Sequence, residues 1–336
     1  MLCIVSLAGI IAVSLGAAET AVPAKFSVQF VTVEPDVKLE VIDWGGSGRP
    51  LVLLAALGAD AHIFTDFAPK LAAKYHVYGI TRRGFGASSI PASGYSADRL
   101  GDDVLAVIDF LKLDRPVLVG HSMAGSELSS IGSRHPEKVA GLVYLEAAYS
   151  YAYYDETSGD TMNVILDSIE MRKKLEQLLP GGGRPDQKRL TEELLKGVLQ
   201  LEKELRDRQA MLRDMQDPPK EAAQTPQPAP PVGIRGIYAG LQKYTAIKGP
   251  ALAIYAVPHD LNDLGDGEAL AKNPAAAAKV EADDIARAGT QADAFEKGMP
   301  SAHIVRIPHA SHMIFMSNEA DVLREMNAFI AGLPGN

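Results

Sequence analysis

Six short, near-continuous apolar runs recur along the chain, at 50–55, 76–80, 116–120, 139–145, 251–257 and 303–307. A run that is apolar without alternating reads as a strand covered on both faces, and such strands are joined by helices into a parallel sheet. The stretches 63–74, 96–111 and 122–134 supply those helices, because their apolar residues recur at three and four. Two earlier segments, 26–33 and 37–42, have period two and close on Pro or Gly signals, which predicts opening antiparallel strands.

The pattern breaks after Tyr149. Residues 149–154 are aromatic, and 161–179 and 190–215 are charged stretches punctuated by Leu at helical spacing, with no strand signal. Leu190, Leu194, Val198, Leu201, Leu205 and Leu212 fall on one helix face, and the segment ends in a Pro-rich connector, 218–231, expected to be extended. The sheet pattern then returns at 251–257, followed by an Ala-rich helix over 274–297, a strand at 303–307 and a closing helix over 318–330. A chain of 336 residues that is 47% hydrophobic and 22% charged buries a sizeable core, so the reading is one α/β domain interrupted by a helical insertion. The domains are taken as 19–149 and 246–336 for the sheet domain and 150–245 for the inserted cap. The formal charge of −9 argues against a nucleic-acid partner.

The opening run, 1–15, is apolar and is followed by Gly16, Ala17 and Ala18, small residues that suit signal peptidase. Residues 1–18 are therefore read as a signal peptide and the protein as exported, with an uncleaved anchor as the alternative, since no Lys or Arg precedes the run. The single cysteine, Cys3, lies inside that segment. Cleavage would leave a chain with no disulfide, no thiolate metal site and no stable membrane span.

Gly120-His121-Ser122-Met123-Ala124-Gly125 directly follows the apolar run 116–119 and opens a helix. This is the form of a nucleophile elbow, a sharp strand-to-helix turn that needs small residues two before and two after the serine; Gly120 and Ala124 meet that need. A serine hydroxyl needs a base, and the base an orienting acid. His312, just past the last strand, is the candidate base, with His309 as its competitor. Asp260, just past 252–257, is the candidate acid, and Asp263 and Glu146 are alternatives. His309 and His312 also have metal-ligand spacing, but no acidic or Cys partner motif accompanies them, so no metal and no cofactor are expected.

With these residues the chain resembles the α/β-hydrolase superfamily over 26–149 and 246–333. Residues 53–64 resemble the segment that supplies an oxyanion-hole amide, Thr81-Arg82-Arg83-Gly84-Phe85-Gly86-Ala87-Ser88 resembles the family's Asp-x-Arg-Gly-x-Gly-x-Ser turn, and Ser317-Asn318-Glu319 opens the last helix as the family does. Ala55-Ala56 stands where His-Gly is usual, Thr81 replaces Asp, and Ala124 replaces Gly. The resemblance implies an α/β-hydrolase fold: a mostly parallel sheet with helices on both faces and a cap inserted before the acid-bearing strand. It further implies backbone amides of Leu57 and Met123 as oxyanion donors. Epoxide hydrolases and haloalkane dehalogenases of this fold resemble the pattern with Asp at the nucleophile position, which this chain does not have.

The resulting expectation is a carboxylesterase-like hydrolase acting through an acyl-enzyme, with Ser122, His312 and Asp260 as its triad. Tyr149, Tyr151, Tyr153 and Tyr154 are candidates to line a pocket for a small apolar or aromatic ester. Amide, thioester or carbon–carbon cleavage by the same triad, or ligand binding without turnover, are the alternatives.

Overall fold

The computed structural model describes residues 26–158, 160–178, 187–213, 229–265 and 267–335. Eight strands form one sheet: β1 (Ser27–Glu34), β2 (Val37–Gly45), β3 (Pro50–Leu54), β4 (His76–Ile80), β5 (Val117–His121), β6 (Gly141–Leu145), β7 (Ala251–Ala256) and β8 (Ala302–Ile307). Their spatial order is β1-β2-β4-β3-β5-β6-β7-β8. The pairs β1–β2 and β2–β4 are antiparallel, and all the others are parallel. Each strand expected from the sequence is present, and every residue of β5, β6 and β7 is buried.

Period two decides which residue packs where. Val117 and Val119 of β5 join the apolar cluster on one face, with Leu71, Val322, Met326 and Ile330, while Leu118 joins the cluster on the other, with Val104, Leu128, Ala292 and Phe295. Both faces are therefore covered, as near-continuous apolar runs require.

The helices are α1 (Ala68–Ala72), α2 (Ala97–Leu111), α3 (Gly125–Arg134), α4 (Thr161–Glu176), α5 (Gln187–Arg213), α6 (Val232–Ala239), α7 (Leu261–Leu264), α8 (Gly267–Ala271), α9 (Pro274–Gly298), α10 (Ile314–Ser317) and α11 (Glu319–Ala331). The single helix expected over 63–74 is instead a 3-10 turn, Ala61–Phe64, followed by the short α1. Pro69 explains the break: it has no N–H to give to residue 65, and its ring would crowd that carbonyl.

Among the described residues three helices, α4 to α6, stand between β6 and β7 where the insertion was read, and α4 packs against α5. The expected Leu face of α5 packs at its N-terminal end, where Leu190 and Leu194 are buried, whereas Val198 and Leu205 are exposed. Most of the connector expected at 218–231, like the signal segment expected at 1–18, lies outside the described residues. No helix among the described residues is long and apolar enough to cross a membrane.

The topology places the carboxyl ends of β5, β6, β7 and β8 side by side, and ligands of open α/β sheets bind at that edge. The closest approach there is at Gly125, where a Cβ would overlap the carbonyl oxygen of Ala147 just past β6. Gly125→Ala should therefore cost about 2–4 kcal/mol in urea unfolding. Gly289→Ala, in α9 with nothing within 4 Å of an added Cβ, should stabilise by roughly 0.5–1 kcal/mol in the same measurement.

Candidate active site

Strand β5 runs apolar to His121 and turns sharply at Ser122, whose φ of 53° lies in the left-handed region. Such a conformation is strained for a residue with a side chain and persists only where the surroundings enforce it. The surroundings here are close: a Cβ on Gly120 would stand 2.5 Å from Leu128 Cδ1 and 3.2 Å from the Ala124 Cβ. Only small residues let strand and helix approach this way, and the turn lifts the serine side chain above the sheet edge.

His312 meets it there. Its Nε2 lies 3.0 Å from Ser122 Oγ and its Nδ1 lies 3.1 Å from Glu146 Oε2. The imidazole is set by its backbone on both sides, since the His312 N–H donates to the Asp263 carboxylate and its carbonyl accepts from His121 Nε2 at 2.8 Å. Burial lowers the His121 imidazole to about 4, so it is neutral at pH 7 and gives its proton to that carbonyl. His309, the competitor, is exposed and its Nδ1 lies 3.8 Å from Glu281.

The acid expected from the sequence is corrected by the geometry. Asp260 does not reach His312: it caps the N-terminus of α7, its Oδ1 accepting from the Asn262 N–H at 2.9 Å and from Asn262 Nδ2 at 2.6 Å. The carboxylate on the imidazole is Glu146, at the end of β6, also at positive φ, 50°. The helical insertion thus follows the strand that carries this acid instead of preceding it. A turn capping its own helix has a local partner two residues away, and that local bond wins over a reach across the cleft.

Glu146 is fully buried and accepts from several elements at once. Besides His312, its oxygens accept from the Tyr149 hydroxyl at 2.9 and 2.8 Å, the Ala256 N–H at 2.6 Å and His259 Nε2 at 2.8 Å. Burial pushes this carboxyl up, but the hydrogen bonds from His259 and His312 outweigh it and hold it below the ordinary carboxylate value. His259 in turn gives Nδ1–H to Asp284 Oδ2 at 2.9 Å, and its backbone N–H donates to the same oxygen at 2.8 Å. Burial lowers the His259 imidazole, yet the two carboxylates prevail and raise it to about 9. Among the described residues, Glu146, His259 and His312 bring ligand-type atoms within 4.8 Å of one another. The His259 proton is held by the carboxylates on either side of it, whereas a metal would need that nitrogen bare.

Neither His259 nor Asp284 was singled out by the sequence. A signal existed for Asp284: it falls with Ala288, Gln291, Ala292 and Phe295 on the buried stripe of α9, and a carboxylate on an Ala-rich buried face needs a partner.

Leu57 and Met123, the expected oxyanion donors, both line the cavity above Ser122. The orientation of the Leu57 amide has a visible cause. Arg82, buried and paired with Glu127 of α3, donates from its two terminal nitrogens to the carbonyls of Ala55 at 2.9 Å and Ala56 at 3.3 Å. In a trans peptide the C=O and N–H point in opposite directions. Tying the Ala56 carbonyl back to Arg82 therefore turns the Leu57 N–H away from Arg82. The guanidinium thus holds the backbone of the Ala55-Ala56 pair. Its neighbour Arg83 is buried in a fork on Asp103, at 2.6 and 2.7 Å.

The cavity holds about 590 Å³ and is walled by Tyr149, Tyr151, Met162, Ile165, Tyr238 and Leu264. Two of the four expected tyrosines, Tyr149 and Tyr151, thus face it. The other two are corrected: Tyr153 packs edge-on against Phe295, with ring centroids 5.8 Å apart, and Tyr154 donates to Asp167 at 3.0 Å under the Lys243 ammonium. A backbone that folds tightly after β6 sends consecutive side chains to different sides, so a run of tyrosines does not share one pocket.

The model of the Alpha/beta hydrolase family matches residues 51–325. A fluoroacetate dehalogenase from a Burkholderia species is 32% identical over 117 residues, 33% of this chain and 38% of that protein. A 3-oxoadipate enol-lactonase from Acinetobacter baylyi is 30% identical over 114 residues, 34% of this chain and 43% of that protein. The chain thus matches less than half the length of either relative. The solved structure of E-2-(acetamidomethylene)succinate hydrolase superposes with a TM-score of 0.54 at 20% identity, covering 92% of this chain and all of that one; at that identity the likeness is one of fold.

The assignment of the acid has a direct spectroscopic check. A low-field proton resonance from the His312 Nδ1–H should persist in Asp260→Asn and vanish in Glu146→Gln, measured by proton NMR of the free protein at a pH where the imidazole is charged.

Proposed function

The chain belongs to the alpha/beta hydrolase family, and within it we propose a serine hydrolase that cleaves carboxylic esters of small apolar or aromatic molecules, with Ser122, His312 and Glu146 as its triad. The observation that carries this reading is the unbroken line of contacts from Ser122 Oγ to His312 Nε2 and from His312 Nδ1 to Glu146 Oε2, at 3.0 and 3.1 Å. The serine supports acyl transfer, because its hydroxyl forms an ester with an acyl group that water then cleaves.

These contacts support a two-step acyl transfer. Ser122 Oγ attacks the ester carbonyl carbon while its proton passes to His312 Nε2, and Glu146 stabilises the imidazolium through Nδ1–H. The carbonyl oxygen becomes an oxyanion, and the amides of Leu57 and Met123 are the proposed donors to it. Collapse expels the alcohol, which takes the proton from His312. Water then enters, His312 removes its proton, and attack on the acyl-enzyme releases the acid and restores Ser122. The apolar and aromatic wall of the cavity favours an acyl or alkoxy group of the same character.

A fluorophosphonate probe should label Ser122 in the wild type and leave Ser122→Ala unlabelled, read by peptide mass spectrometry. On an ester panel, Glu146→Gln should lose about 10³–10⁴-fold in kcat, while Asp260→Asn should stay within about twofold. Absence of label on the folded wild type, or equal losses in the two acid variants, would sink the assignment.

Arg82→Lys tests the amide. Lysine keeps a cation beside Glu127 but cannot hold two carbonyls with one fork. The expected result is a roughly 10–100-fold fall in kcat with KM little changed, the signature of an interaction made in the transition state.

A further inference from the structure

The position just past β7, where the sequence placed an acid, delivers an imidazole to the acid on β6. His259 Nε2 stands 2.8 Å from the same Glu146 oxygen, Oε2, that His312 Nδ1 approaches at 3.1 Å. One carboxylate oxygen is thus shared by two imidazoles. The second imidazole is not free to leave: Asp284 Oδ2 accepts from both its Nδ1 and its backbone N–H, and Asp284 Oδ1 accepts from Arg287 at 2.6 Å. His259 and Asp284 are both buried.

We infer that His259, held by Asp284, is a positioning residue of the triad, a proton-carrying clamp that fixes Glu146 and screens its negative charge from His312. The inference rests on the serine-hydrolase reading above. The charged groups against His259 are Glu146 from β6 and Asp284, with its partner Arg287, from α9; His312, from the loop after β8, meets the same Glu146 oxygen, and Asp263 from α7 lines the same cavity. The nearest of them alternate in sign. Glu146, His259, Asp284 and Arg287 form a row of carboxylate, imidazolium, carboxylate and guanidinium whose formal charges cancel.

That cancellation has a functional consequence. A lone buried carboxylate would attract positive charge onto the His312 ring strongly, whereas one already bonded to a cation attracts it less, so less of the Glu146 field reaches the base. When His259 loses its proton, a neutral imidazole keeps only one N–H for its two acceptors. Either Glu146 or Asp284 then faces a lone pair, and the acid loses its fixed position. Burial opposes the His259 charge and the two carboxylates restore it to about 9, so this loss belongs to the alkaline side.

The test is the rate of fluorophosphonate labelling of Ser122 as a function of pH, which needs no knowledge of the natural ester. The wild type should give a bell with an alkaline limb near 9. His259→Gln places an amide N–H₂ where Nε2 stands, without charge. It should lose the alkaline limb and move the acid limb up by about one pH unit. Asp284→Asn removes the anion that retains the proton and should move the alkaline limb below that of the wild type. It also keeps an acceptor oxygen in place, which covers the case in which His259→Gln does not fold. Asp260→Asn is the control and should reproduce the wild-type bell. Folded variants with both limbs unmoved would reduce the pair to a structural tie and overturn the inference while leaving the serine assignment intact. A wild type that takes no label would overturn both.

Discussion

A buried carboxylate organises the working edge of this sheet. Glu146 is fully buried and sits between four donors that come from the turn after β6, from β7, from the loop after β7 and from the loop after β8. An isolated ion there would be prohibitively costly, and the same ion with each lone pair engaged is tolerated. The cost sets the geometry: every donor must be in place together, so three strand ends and their loops are held in mutual register by one side chain.

Strain is concentrated at the same edge. Ser122 and Glu146, at the ends of adjacent strands, both have positive φ, and each ends a strand by turning its side chain up toward the cleft. Neither conformation would persist in isolation. Ser122 is held by the contact of Gly120 with Leu128 and Ala124, and the chain after Glu146 by the approach of Gly125 to the Ala147 carbonyl. The small residues of the elbow therefore support the acid's strand as well as the nucleophile's, which links the folding core to the geometry of the site.

Much of this was legible in the sequence. Six strands are visible as near-continuous apolar runs and β1 and β2 as segments of period two, and Ser122 and His312 stand out because each follows an apolar run in chain order. The acid was not legible, since Asp260, Asp263 and Glu146 each follow a strand or its turn. The structure divides the work among them by reach: Asp260 satisfies its own helix, Asp263 takes the His312 backbone amide, and Glu146 takes the ring. Only the left-handed turn at Glu146 aims its side chain across the cleft, and hydropathy carries no information about φ. Tyr153 and Tyr154 fail as pocket residues for a related reason, because adjacency in sequence says nothing about side once the chain leaves regular structure. The split of the 63–74 helix, in contrast, was written in Pro69.

In the proposed function, chemistry and selectivity fall to different parts of the chain. The groups that would move protons lie at strand ends or just beyond them, whereas much of the cavity wall, including Thr161, Met162 and Ile165 of α4 and Tyr238 of α6, belongs to the inserted helices. Strand ends are anchored by the sheet ladder and by the Glu146 network, which favours the fixed geometry that proton transfer requires. Tyr149, in the turn that leads from β6 toward α4, is bonded to Glu146. A fold built this way can change what it accepts by altering α4 and α6 while the hydrogen-bonded line from Ser122 to Asp284 stays as it is.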